Sequence, residues 1–175
     1  NQPTIITNSS KQYLSFDGSN DSLAADASGH ILDNPIGQNV TIFTVVKPKG
    51  GAYILSTGGQ SSSAIGYALK YNDSGNSFST FKDSNGGRYL TITDLFEVNK
   101  TKIVTHSYSG TYSNTEVLVN GYKSGNDYFP SSSSSNSYQN LVIGRANSNS
   151  SAYFGNFEIA EVIVISSTDS QKITE

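Results

Sequence analysis

The sequence predicts an all-β protein, a sandwich or a barrel of antiparallel strands. Short runs rich in β-branched and aromatic residues recur roughly every ten residues, which is the spacing typical of such folds. Turn-forming Gly, Pro, Asn, Asp and Ser residues separate these runs, and no segment shows a helical period of useful length. No repeat or linker divides the chain. We therefore expect a single domain over residues 1–175, which forms part of a longer polypeptide.

The longest apolar-dominated run, Phe154 to Ile165, predicts a central strand. Both of its faces are mostly apolar, as is typical of a strand in the middle of a covered sheet. Regular alternation would place Phe157, Ile159, Glu161, Ile163 and Ile165 on one face, and Glu158, Ala160, Val162 and Val164 on the other. Thr168 and Gln171, which follow, have the spacing of a capping box, so a short C-terminal helical turn is expected.

The other predicted strands are shorter and are bounded by turn signals. Asp17-Gly18 and Asn120-Gly121 are strong signals for tight turns. The predicted strands cover residues 4–7, 13–16, 22–25, 40–47, 52–56, 66–71, 77–82, 88–93, 102–109, 115–120 and 141–145.

The composition favours a protein with an uncharged polar surface. Hydrophobic residues are 35% and charged residues 14% of the chain, both below the usual values of about 45–50% and 25%, and Ser, Asn, Thr and Gly make up the difference. This suggests an extracellular, cell-surface or virion protein. The net charge of −3 and the absence of a basic run argue against nucleic-acid binding. No apolar run reaches the roughly 18 residues of a membrane span, so no membrane insertion is expected.

Four segments together resemble the laminin-G-like, concanavalin A-type jelly roll. They are Tyr13–Asp21, Val40–Pro48, Val117–Gly121 and Phe154–Ile165, in the order and spacing usual for that superfamily. The resemblance covers nearly the whole chain and implies two antiparallel sheets packed face to face. The superfamily includes lectins, laminin G modules, glycan-binding modules, some glycoside hydrolases and lyases, and domains of phage and bacterial surface proteins. The fold therefore leaves the function open.

Glu158 and Glu161 are the candidates for glycoside hydrolysis. A retaining glycosidase needs two carboxyl groups about 5 Å apart on one face, whereas residues three apart on a regular strand point to opposite faces. A β-bulge at Ala160 would bring the two carboxyl groups to one face. The laminarinase-type hydrolases carry Glu-x-Asp-x-(x)-Glu on a central strand. Here Ala160 stands at the Asp position, neither Val162 nor Ile163 supplies the second Glu, and the chain has no Trp.

His106 and Tyr108 are the candidates for lyase chemistry, because they share one face of a predicted strand. The surrounding Val-Thr-His-Ser-Tyr does not match the Gln-Ile-His strand of alginate-lyase relatives. A lone His on a strand is more often structural. We therefore expect a protein that is not an enzyme, and a polysaccharide hydrolase or lyase remains an alternative hypothesis.

Calcium is the one cofactor that the sequence suggests. The cluster Asp17-Gly18-Ser19-Asn20-Asp21 offers the oxygen ligands that Ca²⁺ prefers, from Asp17, Asn20 and Asp21. A second cluster, residues 72–76, has a similar composition. Both are also ordinary turn sequences, and the turn interpretation is favoured. If a metal binds, the first cluster is the preferred place.

Glycan binding is the function that the resemblance implies first. Sugars are held by aromatic rings together with amide, carboxylate and guanidinium groups. The ligand-binding candidates are Tyr67, Tyr71, Tyr89, Tyr108 and Arg145, with Tyr112 and Tyr138 in addition.

These observations favour a noncatalytic, lectin-like binding module of a larger secreted, cell-surface or virion protein. The first alternative is a structural or assembly domain of a viral capsid, fibre or bacterial adhesin with protein partners. The expected partners are a glycan or a surface protein and other domains of the same polypeptide.

Overall fold

The computed structural model confirms an all-β fold. It describes residues 1–25, 40–56, 68–72, 77–81, 89–92, 97–108, 115–123, 141–145 and 154–165. These ranges contain no helix, and hence none that is long and apolar enough to span a membrane. The helical turn predicted after Ile165 lies outside the described residues. The strands are β1 (Thr4–Asn8), β2 (Lys11–Asp17), β3 (Leu23–Ala24), β4 (Val40–Pro48), β5 (Ala52–Ser56), β6 (Ala68–Asn72), β7 (Ser77–Phe81), β8 (Tyr89–Ile92), β9 (Lys102–Tyr108), β10 (Thr115–Val119), β11 (Tyr122–Lys123), β12 (Val142–Ile143) and β13 (Asn156–Ile165).

The strands form two antiparallel sheets, the sandwich that the sequence predicts. The first sheet has seven strands in the order β1-β2-β13-β4-β9-β10-β11, and the second has six in the order β3-β12-β5-β6-β7-β8. β13 lies between β2 and β4, which confirms it as a central strand. Its neighbours in the sheet are therefore far from it in sequence, as in other jelly rolls.

The core fills the space between the two sheets. On β4, from Ile42 to Pro48, every second residue is buried, which is the period expected of a strand with one face inward. β9 and β10 continue this inner face with Val104, Val117 and Val119. The second sheet contributes Leu55, Leu69 and others to the same cluster. The buried apolar area of this inner face is the main stabilising contribution to the fold.

Two stacked phenylalanines join β2 to β13 inside the sandwich. Phe16 and Phe157 are cross-strand partners, their ring centroids are 4.6 Å apart, and the ring planes differ by 21°. Gly144, just after β12, lies against the ring of Phe16 with a φ of +98°. Glycine is needed at this position for two reasons: the backbone is left-handed, and the Phe16 ring leaves no room for a Cβ atom.

A β-bulge in β13 corrects the regular alternation predicted for this strand. Ile159 pairs with Val46 and Glu161 pairs with Val45, so Ala160 is an extra residue. Before the bulge, Phe157 and Ile159 are buried. After it, the parity reverses: the inward residues are Val162 and Val164, whereas Glu161 and Ile163 are exposed. One extra residue in a strand has this effect because side chains alternate with a period of two.

The outward face of the seven-stranded sheet is unusually apolar at its centre. It carries Phe43 and Val45 on β4, Ile103 on β9, Leu118 on β10 and Ile163 on β13, which we call the outer apolar row. Ile103 is 48% exposed and Ile163 is 42% exposed. Outward positions of a sheet that faces water are usually polar, so this row is a candidate contact surface.

The turns are partly as predicted. Asn120 and Gly121 have φ values of +50° and +79° and join β10 to β11, which confirms the predicted tight turn. The strand predicted over residues 4–7 is present as β1, which lies at the edge of the seven-stranded sheet. β1 pairs along its whole length with β2, from Thr4–Ser15 to Asn8–Lys11, so the two strands form a hairpin. The polar sequence between them carries no Gly-containing turn signal, which is why the hairpin is not evident from the sequence.

We expect Gly144→Ala to destabilise the protein much more than Gly121→Ala. Both glycines have a left-handed backbone, which costs an alanine about 1–2 kcal/mol. A Cβ on Gly144 would lie 2.5 Å from the ring of Phe16 and 2.6 Å from the carbonyl oxygen of Asp21, whereas a Cβ on Gly121 meets nothing within 4 Å. Overpacking adds about 1–3 kcal/mol at Gly144 alone. Urea unfolding of both variants measures the difference, and equal losses would contradict the packing argument.

Candidate functional site

The seven-stranded sheet opens at the bulge of β13. β13 pairs with β2 only from Asn156 to Ile159, opposite Asp17 to Leu14. Beyond this point β13 continues along β4 as far as Ile165, while β2 continues along β1. The two strands therefore separate after Leu14 and Ile159, and a cleft of about 400 Å³ lies at the opening. That volume falls within the range of small-molecule sites, roughly 300–1,000 Å³.

The cleft has an apolar floor and a polar rim. The floor comes from both sheets, because Ile143 on β12 joins residues of β1, β2 and β13. The rim groups able to form hydrogen bonds through their side chains are Gln12, Tyr13 and Glu161. We call this site the bulge cleft; it is lined by Ile5, Gln12, Tyr13, Leu14, Ile143, Ile159, Ala160, Glu161 and Val162. An apolar pocket with a few convergent polar groups is the usual form of a ligand site.

Glu158 is held in an ion-pair cluster on the outward face. Its carboxylate lies 3.3 Å from Nζ of Lys47 and 2.6 Å from Nζ of Lys49, and its side chain is only 13% exposed. The hydrogen bonds from Lys49 and Lys47 lower the pKa of Glu158, with the bond from Lys49 the larger cause. A carboxyl group with a lowered pKa stays ionised, which is the opposite of what a general acid needs near neutral pH.

The bulge places Glu161 in a different environment from Glu158, although both side chains point outward. Glu161 is exposed at the rim of the bulge cleft, and the described residues include no ion pair for it. The β-bulge at Ala160 that the sequence analysis considered is thus present, and it puts the carboxylates of Glu158 and Glu161 on one face. Only Glu158 is neutralised by lysines.

His106 lies in the interior of the sandwich. It is the cross-strand partner of Ile42 and Val117, and it is 1% exposed. Its ring is therefore out of reach of a polysaccharide at the surface. This position fits the structural interpretation of a lone strand histidine.

The turn Asp17–Asp21 is held by its own hydrogen bonds. Oδ1 of Asp17 accepts the N–H groups of Ser19 at 2.7 Å and Asn20 at 3.2 Å, and these bonds lower the pKa of Asp17. Oδ2 of the buried Asp21 accepts the N–H of Asp17 at 3.3 Å. Oδ1 of Asn20 accepts a hydrogen bond from the side chain of Asn1. No group of three His, Asp or Glu side chains able to hold a metal occurs in the described ranges.

Of the predicted ligand-binding residues, the structure describes the side chains of Tyr71 and Arg145. Tyr71 is fully buried in the core, so its ring is not a surface platform. Arg145 is half-buried beside Gly144, and its carbonyl oxygen accepts a hydrogen bond from Oγ of Ser56 at 3.1 Å. Tyr67, Tyr112 and Tyr138 lie outside the described residues, and so do the side chains of Tyr89 and Tyr108.

The residues of the bulge cleft were not identified from the sequence, apart from Glu161. Gln12, Tyr13 and Leu14 look like an ordinary strand, and nothing local indicates that β13 leaves β2 beside them. The available signal was the parity conflict in β13. Its apolar residues fit an inward face only if Ala160 is counted as an extra residue.

We expect Glu158→Gln to lower the free energy of unfolding by about 1 kcal/mol at neutral pH, because it removes a carboxylate paired with two lysines. The folded-state pKa of Glu158 lies below its ordinary value of 4.5. Its contribution is therefore complete above that value and is lost as the pH falls through the lowered pKa. Denaturant unfolding of both proteins across this pH range should show the difference shrinking in acid. Glu161→Gln is the matched control and should change little; a constant difference for Glu158→Gln would contradict the ion-pair account.

Comparison of the chain with protein-family models and with curated proteins gives no match. Solved structures do share its fold. The sialidase of Trypanosoma rangeli in complex with sialic acid is 16% identical with a TM-score of 0.62; the match covers 93% of this chain and 27% of that one. Domains LG4-5 of the mouse laminin α1 chain are 13% identical with a TM-score of 0.61, covering 95% and 44%.

A third similar structure is the native heptameric SAP-like pentraxin of Limulus polyphemus, 16% identical with a TM-score of 0.60, covering 87% of this chain and 75% of that one. The chain thus spans about a quarter of the sialidase that it matches. At these identities the comparisons establish the fold and leave the activity open. The two antiparallel sheets of this chain thus have the jelly-roll β-sandwich fold of these laminin, pentraxin and sialidase structures, which is the fold that the sequence resemblance implies.

Proposed function

We propose that this chain is a noncatalytic, lectin-like binding module that holds a glycan in the bulge cleft. The observation that carries the proposal is the combination of an apolar floor with Gln12, Tyr13 and Glu161 at the rim. Sugars present apolar C–H faces and hydroxyl groups together, and such a lining can satisfy both. The polar, weakly charged composition supports an extracellular, cell-surface or virion location, with other domains of the same polypeptide as neighbours.

Two features support a binding role over hydrolysis. Glycosidases of the common type need one carboxylic acid with a raised pKa and a second carboxylate at a set distance. Glu158 has a lowered pKa between two lysines, and His106 is buried. Neither is suited to proton transfer to a bound polysaccharide. The match covers only 27% of the sialidase that shares the fold, so its activity is not a guide to this chain.

A structural or assembly domain with protein partners is the second candidate. The outer apolar row favours it, because exposed apolar side chains at the centre of a sheet often mark a protein contact. This candidate predicts no sugar binding and a specific oligomer or complex in solution.

We expect the protein to bind members of a broad glycan array, and Tyr13→Ala to weaken that binding about tenfold. The expected loss comes from one ring contact and one hydroxyl, worth together about 1–2 kcal/mol. The matched control is Tyr122→Ala, an exposed tyrosine, 72% accessible, at the opposite edge of the same sheet. Titration calorimetry on the best array ligand measures the three affinities.

Two results would contradict this proposal. Absence of any glycan ligand, with no thermal stabilisation by a soluble panel, would favour the assembly domain, since a ligand at a hundredfold excess over Kd should add about 2.7 kcal/mol of stability. Equal weakening by Tyr13→Ala and Tyr122→Ala would place the glycan outside the bulge cleft.

Calcium binding at Asp17, Asn20 and Asp21 is a separate question. The hydrogen bonds of the turn determine what we expect of it. Three side-chain oxygens of these residues already accept hydrogen bonds that hold the turn. We therefore expect thermal unfolding in millimolar calcium chloride and in EDTA to have the same midpoint. A higher midpoint in calcium that is lost in Asp21→Asn would instead establish a calcium site here, because an ion bound only to the folded state raises its stability.

A further inference from the structure

Among the residues that the structure describes, Glu161 is the only charged side chain that lines the bulge cleft. The described lining residues include no Lys, Arg or His, and Gln12 and Tyr13 supply the other polar side chains of the rim. Lys47 at the end of β4 and Lys49 just after it are both bound to Glu158. Within the described lining, a ligand in the cleft therefore meets one negative charge and no compensating positive one. Like charges brought together at a binding site oppose binding.

The floor of the cleft is apolar and favours a ligand that carries an apolar group. Leu14, Ile159 and Val162 reach it from the seven-stranded sheet, and Ile143 reaches it from the other sheet. Ile5 stands at its edge with 66% of its surface exposed. An apolar group of the ligand that covers these side chains removes apolar surface from water on both partners, which favours binding. Sugar hydroxyl groups directed at this floor would instead lose hydrogen bonds to water.

We propose that the bulge cleft is specific for uncharged sugars that carry a methyl group, as an acetamido or a deoxy substituent, and that it excludes sugars with a carboxylate or sulfate. This specificity rests on the proposed glycan-binding function and concerns the same site. The methyl group lies on the apolar floor, the ring hydroxyls bond to Gln12 and Tyr13, and the carboxylate of Glu161 accepts hydrogen bonds from hydroxyl or amide N–H groups. An anionic sugar would place its own charge beside Glu161.

The test uses sugars that differ in a single group. Methyl glycosides of the gluco and galacto series are compared as the parent hexose, the N-acetylhexosamine, the deoxyhexose and the hexuronic acid, and saturation-transfer NMR titration gives each Kd for the whole chain. We expect one of the methyl-bearing sugars to bind at least about tenfold more tightly than the hexuronic acid of its series, because both the floor and the charge favour it.

Two variants separate the two causes. Glu161→Gln keeps the shape of the side chain and removes its charge. The affinity for the hexuronic acid should therefore rise relative to that for the methyl-bearing sugar, and the ratio of their Kd values should fall roughly tenfold. Glu116→Gln makes the same substitution on β10 of the same sheet and should leave every ratio unchanged. Val162→Thr adds a hydroxyl to the floor at nearly constant size, so it should reduce the preference for the methyl-bearing sugar over the parent hexose several-fold.

The outcomes distinguish this inference from the function on which it rests. Binding of hexuronic acid as tight as that of the uncharged sugars, or a ratio unaffected by Glu161→Gln, overturns the specificity while glycan binding stands. A ratio that Glu116→Gln changes equally overturns the role of Glu161. If no sugar binds, and the glycan array is also empty, the proposed function fails and the specificity fails with it.

Discussion

Between Ile159 and Glu161, β13 has one residue more than β4, and this extra residue determines which side chains enter the core and where the sheet opens. The inward set is Phe157, Ile159, Val162 and Val164. A regular strand that lacked Ala160 would bury the same four side chains, because the alternation would then run unbroken. The core therefore does not require the bulge. A bulge leaves one residue out of the ladder and bends the strand, so its presence in a central strand points to a role outside the core.

The bend acts on a strand whose first half is firmly fixed. Phe157 stacks on Phe16, and Gly144 allows the chain after β12 to lie against the same ring. These contacts hold β2 and β13 together as far as Ile159. Beyond the bulge, β13 pairs with β4 and β2 pairs with β1. The cleft therefore begins at a fixed point, and each strand beside it is hydrogen-bonded to a neighbour. A binding site between paired strands costs less ordering on ligand binding than a site on a free loop.

The sequence predicted the strands well because their signals are local. β4, β9 and β13 are long runs of β-branched residues, and Asn120-Gly121 is a strong turn pair, so their positions could be assigned without the partners. The resemblance to known jelly rolls then supplied the two-sheet arrangement. The bulge cleft could not be predicted, because it depends on where β2 and β13 part, and register between distant strands has no local signal. Tyr71 was misplaced for a related reason, since alternation defines two faces of a strand without showing which one is inward.

The two glutamates of β13 have different neighbours because the bulge lies between them. Glu158 lies before it, on the outward face, where Lys47 is its cross-strand partner and Lys49 follows at the end of β4. Its charge is therefore used within the sheet. Glu161 lies after the bulge, where the cross-strand partner is Val45 and β2 has moved away. Its carboxylate has no lysine across the ladder and faces the opening. The same residue type thus stabilises the sheet at one position and is available to a ligand at the other, because one extra residue changes its neighbours.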